Sequence, residues 1–140
     1  MPTIFTRIIE GELPGRFVWR DDRCVAFLSI NPLQPGHTLV VPIDEVDHWI
    51  DLAPDLAQHL MTVSQHIGGA VQRAFNPARV GLMVLGMEVP HVHLHVVPMN
   101  AESDLHFENA ARNPDPGDLD RAADVIRSQL RAAGHPEVAD

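Results

Sequence analysis

The sequence contains no lysine, so all ten of its basic side chains are arginines, and they stand against nineteen aspartates and glutamates. A formal net charge of -9 without any basic run disfavours binding to a nucleic acid polymer, because such binding depends on neutralising many phosphates. A single phosphate group is not excluded, since a few backbone N–H groups and histidines can hold one. The lack of lysine does exclude a Walker-type phosphate loop and Schiff-base chemistry.

Cysteine and long hydrophobic runs are also scarce. The one cysteine, Cys24, cannot form a disulfide within the chain or a cysteine-rich metal site by itself. No stretch approaches the ~20 apolar residues that cross a membrane, and residues 1–7 lack the pattern of a secretory signal. We therefore expect a cytoplasmic protein without a membrane partner. Its 140 residues, 45% of them hydrophobic, suit one domain with a core and a pocket.

Hydrophobic periodicity divides the chain into helix-like and strand-like segments. Apolar residues recur every three or four positions over residues 54–75, which predicts a long amphipathic helix. Shorter helices are predicted over residues 3–10 and 119–133, each followed by a glycine. Strands are predicted over residues 16–20, 24–29, 38–41, 80–85 and 91–99. This order predicts an antiparallel sheet covered by helices, an α+β fold.

Three histidines alternate with hydrophobic residues in the segment His91-Val92-His93-Leu94-His95. Because alternate residues of a strand share a face, we expect the three imidazoles to point one way and Val92 and Leu94 to face the core. Titratable rings backed by a hydrophobic wall are costly to bury, which indicates a functional site.

Two kinds of chemistry fit this spacing. Histidines two apart on a strand can bind Zn²⁺, and Glu88, Glu45 or His37 could supply a further ligand. Alternatively, one imidazole can attack phosphorus as a nucleophile while its neighbours orient it. The spacing alone leaves both interpretations open.

The pattern His-φ-His-φ-His-φ-φ, with φ hydrophobic, resembles the signature of the histidine triad (HIT) family. Three further blocks resemble conserved blocks of that family and follow the same order along the chain: residues 3–14, 21–27 and 32–42. The resemblance covers most of residues 3–98, whereas the tail from Asn100 onward lies outside it.

The resemblance implies the HIT fold, a five-stranded antiparallel sheet with a short N-terminal helix and one long helix. To this we expect the chain to add an extra C-terminal helix. The expected organisation is a HIT domain over residues 1–100 and a C-terminal extension, residues 101–140, made of a loop and a helix packed on the same domain. The resemblance also implies a homodimer in which the long helix and a central strand pair across a two-fold axis.

Site residues follow from the resemblance position by position. His93 matches the family's nucleophile, His91 and His95 match the flanking members of the triad, and His37 matches a fourth histidine close to them. Phosphate binding is implied for His93 and His95 together with the backbone around Glu88 and Val89. The positions that match the nucleoside pocket are Ile4, Phe5, Ile8, Phe27, Leu28, Ser29 and Ile30.

The implied activity is cleavage of the α-phosphate bond in purine nucleoside monophosphate derivatives, such as phosphoramidates and adenylates, through a nucleotidyl-histidine. Two alternatives are a dinucleoside polyphosphate hydrolase or phosphorylase, and a nucleotide-binding module whose catalysis is vestigial. No cofactor is expected.

The chain departs from the family pattern at several positions. Ser29 replaces an aspartate that binds the ribose hydroxyls in many members, and Glu88 replaces a serine or threonine near the phosphate. Some members hold a structural zinc with two cysteines and two histidines. Because Thr3, Thr6 and Glu45 occupy three of those positions here, leaving only His91, we expect no zinc site of that kind.

Overall fold

The computed structural model describes all 140 residues, Met1–Asp140. Its strands form one antiparallel sheet in the order β1-β2-β3-β5-β4. The side chain of Asp21 forms the turn between the first two strands, because its Oδ1 accepts hydrogen bonds from the backbone N–H groups of Arg23 and Cys24. The five strands are β1 (Phe17–Arg20), β2 (Cys24–Leu28), β3 (Thr38–Pro42), β4 (Arg79–Val84) and β5 (Leu94–Met99).

Three α-helices accompany the sheet: α1 (Ile4–Ile9), α2 (Pro54–Phe75) and α3 (Pro116–Ala132). Thr3 caps α1, because its hydroxyl accepts the N–H of Thr6 at 3.1 Å. The long helix α2 has Pro54 in its first turn and ends at Asn76, whose left-handed backbone closes the helix. None of these helices is both long enough and apolar enough to span a membrane.

The two faces of the sheet bury different clusters. Alternate residues of β2, including Ala26 and Leu28, pack under α2 and α3 in the main core of 19 buried residues. The residues between them, Val25 and Phe27, lie on the other face with Phe5 of α1 in a cluster of five. Side chains of the second set therefore point toward the face that α1 covers.

Only one edge of the sheet is left open. At the β1 edge, the backbone N–H of Arg20 donates to Glu137, and that of Ala139 donates to Val18, so the C-terminal residues pair with the strand. At the opposite edge β4 has a neighbour on one side only. Leu82 of β4, which lies on the α2 side of the sheet, is 41% exposed. An uncovered edge strand with an apolar side chain is a surface that proteins usually cover.

The observed architecture confirms the predicted α+β fold and its antiparallel sheet. The predicted strand over residues 91–99 was wrong at its start: β5 begins at Leu94, so His91 and His93 precede the strand. The reason lies in the backbone hydrogen bonds. The N–H of His91 donates to Val89 and that of Val92 donates to Val46, outside the sheet. Neither β3 nor β4 pairs with the residues that precede Leu94.

Candidate active site

His93 lies immediately before β5 and is buried, with 7% of its surface exposed. Its Nδ1 is 2.7 Å from the carbonyl oxygen of His91. A carbonyl only accepts, so Nδ1 carries the proton and Nε2 keeps a free lone pair. Phe5 packs its ring against the His93 ring, with the centroids 4.8 Å apart. The contact of His93 with its own backbone therefore selects the tautomer that a nucleophile needs.

A chain of hydrogen bonds fixes the tautomer of His95 as well. The N–H of Leu33 donates to Nδ1 of His37 at 3.0 Å, so the proton of the neutral His37 ring is on Nε2. That Nε2–H donates to Nδ1 of His95 at 2.9 Å. The neutral His95 ring must then carry its proton on Nε2, which makes this nitrogen a donor. The structure thus places an acceptor nitrogen on His93 beside a donor nitrogen on His95, with their ring centroids 4.8 Å apart.

His91 is turned away from this pair and anchors the segment. Its Nε2–H donates to the carbonyl oxygen of Pro42 at 2.7 Å, and its Nδ1 accepts from the hydroxyl of Thr3 at 2.7 Å. The backbone N–H of Thr3 in turn donates to Glu45 at 2.7 Å. The positions that match zinc ligands of some family members therefore hold a hydrogen-bonded group here. These hydrogen bonds connect the N-terminus of α1 to His91, whose carbonyl orients His93.

Burial keeps His37, His93 and His95 neutral. It lowers the pKa of His37 to about 3, with His95 and His93 adding to the effect. Burial likewise lowers the pKa of His95 to about 4, and His93 contributes as a like charge. The pKa of His93 is also below its usual 6.5, because burial outweighs the hydrogen bond to His91 and the attraction of Glu88. At neutral pH the lone pair on His93 Nε2 is therefore available.

An open hollow of about 320 Å³, part of it solvent, lies over His93 and His95. One wall is the connection between β4 and β5, including Met87 and Glu88. The other wall is Phe107, whose ring meets the His95 ring at a centroid distance of 5.3 Å. Val89 packs on the cluster around Phe5 rather than lining the hollow.

The structure does not bring all the predicted nucleoside residues to this face. The rings of Phe5 and Phe27 pack against each other with centroids 5.6 Å apart, and Phe5 also contacts the His93 ring. Leu28 instead packs in the core under α2 and α3, on the opposite face of the sheet, because side chains alternate along β2.

The other predicted nucleoside positions lie near the surface or at the edge of the smaller core. Ile4 is 46% exposed and Ile30 is 64% exposed. Ile8 is partly buried against the cluster that contains Phe5. Ser29 is partly exposed, and its hydroxyl accepts a hydrogen bond from the N–H of Asn31 at 3.3 Å.

Phe107 was not among the residues predicted from the sequence. It belongs to a short 3₁₀ turn, Phe107–Asn109, inside the segment that composition marks as a polar loop. The only sequence signal is the aromatic residue itself, since a large apolar side chain in a polar loop needs a surface to contact.

A separate group of residues with metal-binding side chains lies at the β1–β2 turn. Ligand atoms of Asp21, Cys24 and His59 all lie within 4.8 Å of one another. The Asp21 carboxylate, however, already accepts hydrogen bonds from Trp19, His59 and two backbone N–H groups. Burial also raises the pKa of the Cys24 thiol, which keeps it protonated. The contacts are those of a structural hydrogen-bond cluster.

Comparisons with known proteins agree with this arrangement. The family model described as HIT domain matches residues 10–102. An uncharacterized HIT-like protein of Saccharolobus solfataricus is 36% identical over 100 residues, which cover 68% of this chain and 72% of that protein. The zinc-bound histidine triad family protein of Mycobacterium smegmatis has a similar structure, with a TM-score of 0.80, 26% identity, and coverage of 93% of this chain and 94% of that one.

A HIT family hydrolase from Legionella pneumophila is similar with a TM-score of 0.59 and 26% identity, over 69% of this chain and 91% of that one. The family model matches two thirds of the chain, and the triad His91, His93 and His95 spans the start of β5, so the chain belongs to the histidine triad family.

Proposed function

We propose that this protein hydrolyses the bond between the α-phosphorus and the leaving group of nucleoside monophosphate derivatives, such as phosphoramidates and adenylates. The observation that carries the proposal is the pairing of a free acceptor nitrogen, Nε2 of His93, with a donor nitrogen, Nε2 of His95, beside an open hollow. A nucleophile next to a hydrogen-bond donor is what an in-line displacement at phosphorus requires.

The reaction has two steps. In the first, the lone pair of His93 Nε2 forms a bond to phosphorus as the bond to the leaving group breaks with its electron pair. The leaving atom accepts a hydrogen bond from His95 Nε2–H. An amine takes up a proton from solvent water as the bond breaks, and the resulting hydroxide accepts the proton that the attacking water loses in the second step; a carboxylate leaves as the anion. In the second step, water attacks the nucleotidyl-histidine, loses a proton, and releases His93 with its lone pair restored. The carbonyl of His91 stabilises the ring when it becomes positively charged.

Other residues bind the substrate in this proposal. Backbone N–H groups around Glu88 and Val89 stabilise the phosphate oxygens, and Phe5 with Phe27 forms the apolar floor for the nucleoside. Ser29 offers one hydroxyl to the ribose. A relative of the same fold is named a HIT family hydrolase, which supports a hydrolytic rather than a purely binding role.

The test compares turnover of adenosine 5′-phosphoramidate by the wild type and by His93→Ala. We expect the variant to lose activity by a factor of about 10³ or more, since the nucleophile is gone. His48→Ala is the matched control, because His48 is exposed and outside the hollow. Equal turnover by the wild type and His93→Ala would refute the proposal. Tight AMP binding without turnover by the wild type would favour a binding module.

We also propose that two chains pair through β4 and α2. The apolar groove between these elements, lined by Met61 and Leu82 among others, lies beside the one uncovered edge of the sheet. Pairing of two such edges would satisfy their backbone N–H and C=O groups.

A further inference from the structure

We propose that Glu88 and Phe107 form a leaving-group subsite that favours an amine carrying a distant positive charge and disfavours a negatively charged leaving group. This inference rests on the proposed function, since it assigns a selectivity to the same site. It also gives the C-terminal extension a role in that site.

The order of the aromatic rings places the subsite. Centroid distances connect Phe27 to Phe5 (5.6 Å), Phe5 to His93 (4.8 Å), His93 to His95 (4.8 Å) and His95 to Phe107 (5.3 Å). Each ring therefore contacts the next, from the proposed nucleoside floor of Phe27 and Phe5, through His93 and His95, to Phe107. His93 lies between the two ends.

In-line displacement then determines what the leaving group meets. The leaving atom departs on the side of phosphorus opposite to the attacking nitrogen, and it receives a hydrogen bond from His95. The rest of the leaving group must extend from there into the hollow. Its neighbours are Phe107 on one side and the Met87–Glu88 connection on the other.

Charge decides which leaving groups fit. Glu88 is exposed to the hollow and is the only residue of its lining that carries a formal charge when the histidines are neutral. No arginine lines the hollow, and the chain has no lysine. A polyphosphate leaving group would therefore meet a carboxylate without any cation to neutralise it, whereas an ammonium group would be attracted.

Phe107 supplies the second half of the subsite. Its ring contacts His95 edge-on yet stays 44% exposed, so part of its surface is free for a ligand. The surrounding segment is held in place, because the backbone N–H of Ala111 donates to Pro32 and the amide of Asn109 donates to Ser103. An aromatic ring that faces a carboxylate across the hollow can bind the alkyl chain of an amine and its cationic end.

The experiment uses three adenosine 5′-phosphoramidates whose leaving amines each contain a six-carbon chain but differ at the distal end: 1,6-diaminohexane, hexylamine and 6-aminohexanoate. The reacting nitrogen is nearly equivalent in all three because the distal group is far away. For the wild type we expect kcat/KM to fall from cationic to neutral to anionic amine, with a spread of roughly tenfold. High salt should reduce that spread.

Two variants test the residues. Glu88→Gln should reduce the ratio of kcat/KM for the cationic amine to kcat/KM for the anionic amine to about twofold. Asp22→Asn, which removes an exposed charge at the β1–β2 turn, should leave this ratio unchanged. Phe107→Leu should lower kcat/KM for the cationic amine about threefold more than for the anionic one, through the lost cation–π contact.

The outcomes separate the two claims. The proposed subsite would be overturned by equal kcat/KM values for the three amines, or by a cationic-to-anionic ratio of kcat/KM that is unchanged in Glu88→Gln. In either case, turnover that depends on His93 would still support the proposed function. Absence of His93-dependent turnover of all three compounds would overturn the proposed function and the subsite with it.

Discussion

At the scale of single residues, hydrogen bonds to backbone groups decide the chemistry of the histidines. The carbonyl of His91 accepts a hydrogen bond from Nδ1–H of His93 and so leaves Nε2 with a free lone pair. The N–H of Leu33 fixes the tautomer of His37, and the hydrogen bond from His37 then fixes the tautomer of His95. Three neutral rings with fixed tautomers therefore stand where a reaction at phosphorus needs one acceptor and one donor.

The depressed pKa of His93 leads to a prediction about pH. Protonation blocks the attacking lone pair, so activity should fall as pH drops through the pKa of His93, which burial holds below 6.5. With an acyl adenylate, whose phosphate stays charged throughout, kcat/KM should keep its neutral value until the pH is below 6.5. A midpoint above 6.5 would contradict this account.

The same measurement with Glu88→Gln tests the direction in which Glu88 shifts the pKa of His93. The carboxylate of Glu88 raises the pKa of His93, so its removal should move the acidic midpoint to lower pH. The movement should be small, since Glu88 is exposed and its charge is screened. A movement to higher pH would mean that the observed midpoint does not belong to His93.

At the scale of secondary-structure elements, the site lies where regular structure ends. The segment before β5 leaves the sheet and bonds to Val46, to the carbonyl of Pro42 and to Thr3 of the α1 cap. Thr3 serves two purposes, because its hydroxyl accepts the N–H of Thr6 and donates to His91. The start of α1 and the position of His93 are therefore linked.

Thr3→Val tests this link by removing the hydroxyl while keeping a similar shape. Loss of the helix cap and of the bond to His91 should lower the free energy of unfolding by about 1–3 kcal/mol. It should also lower kcat/KM, because the carbonyl that orients His93 loses its anchor. Urea unfolding and turnover measure the two effects.

Thr62→Val is the control for that experiment, since the Thr62 hydroxyl is exposed and bonds only to Gln58 of its own helix. We expect the control to change the unfolding free energy by less than about 0.5 kcal/mol. If Thr3→Val behaves like Thr62→Val in both measurements, the anchoring role of Thr3 is wrong.

At the scale of the whole molecule, the segment of residues 101–140 closes one edge of the sheet, and the opposite edge stays open. Its last residues pair with β1, while β4 shows an exposed apolar edge beside the α2 groove. The proposed pairing of two chains predicts a particle of twice the 15.5 kDa chain mass in light scattering.

Leu82→Glu places a charge on that edge and should give a particle of single-chain mass, because a charge in the centre of the interface is costly to bury. Ile50→Glu is the control, since Ile50 is 61% exposed and lies in a short turn away from the groove. A wild-type protein that scatters as a single chain would contradict the proposed dimer.

Much of the fold could be predicted from the sequence because periodicity reports burial. The interval of three or four between apolar residues gave the observed bounds of α2, Pro54–Phe75. The same argument failed at the start of β5, where alternation continues through His91–His93 although the backbone bonds elsewhere. Alternation along a segment does not show where its hydrogen-bond partners end.

The site could be predicted only in part. The triad is local in sequence, but the contact between His37 and His95 joins residues 58 positions apart and entered only through family resemblance. Alternation along β2 would have excluded Leu28 from the face of Phe27. Phe107 could not be predicted, because nothing in an isolated loop sequence shows which surface its aromatic ring contacts.

The central claim, that His93 is the nucleophile, is tested most directly by trapping the covalent intermediate. Wild-type protein is mixed with adenosine 5′-phosphoramidate, quenched within milliseconds to seconds in alkaline denaturant, and measured by intact mass and peptide fragmentation. The account predicts a chain that gains the mass of one AMP group, located on His93 and absent in His93→Ala. AMP formation without any such adduct, or an adduct located on His37, His91 or His95, would contradict it.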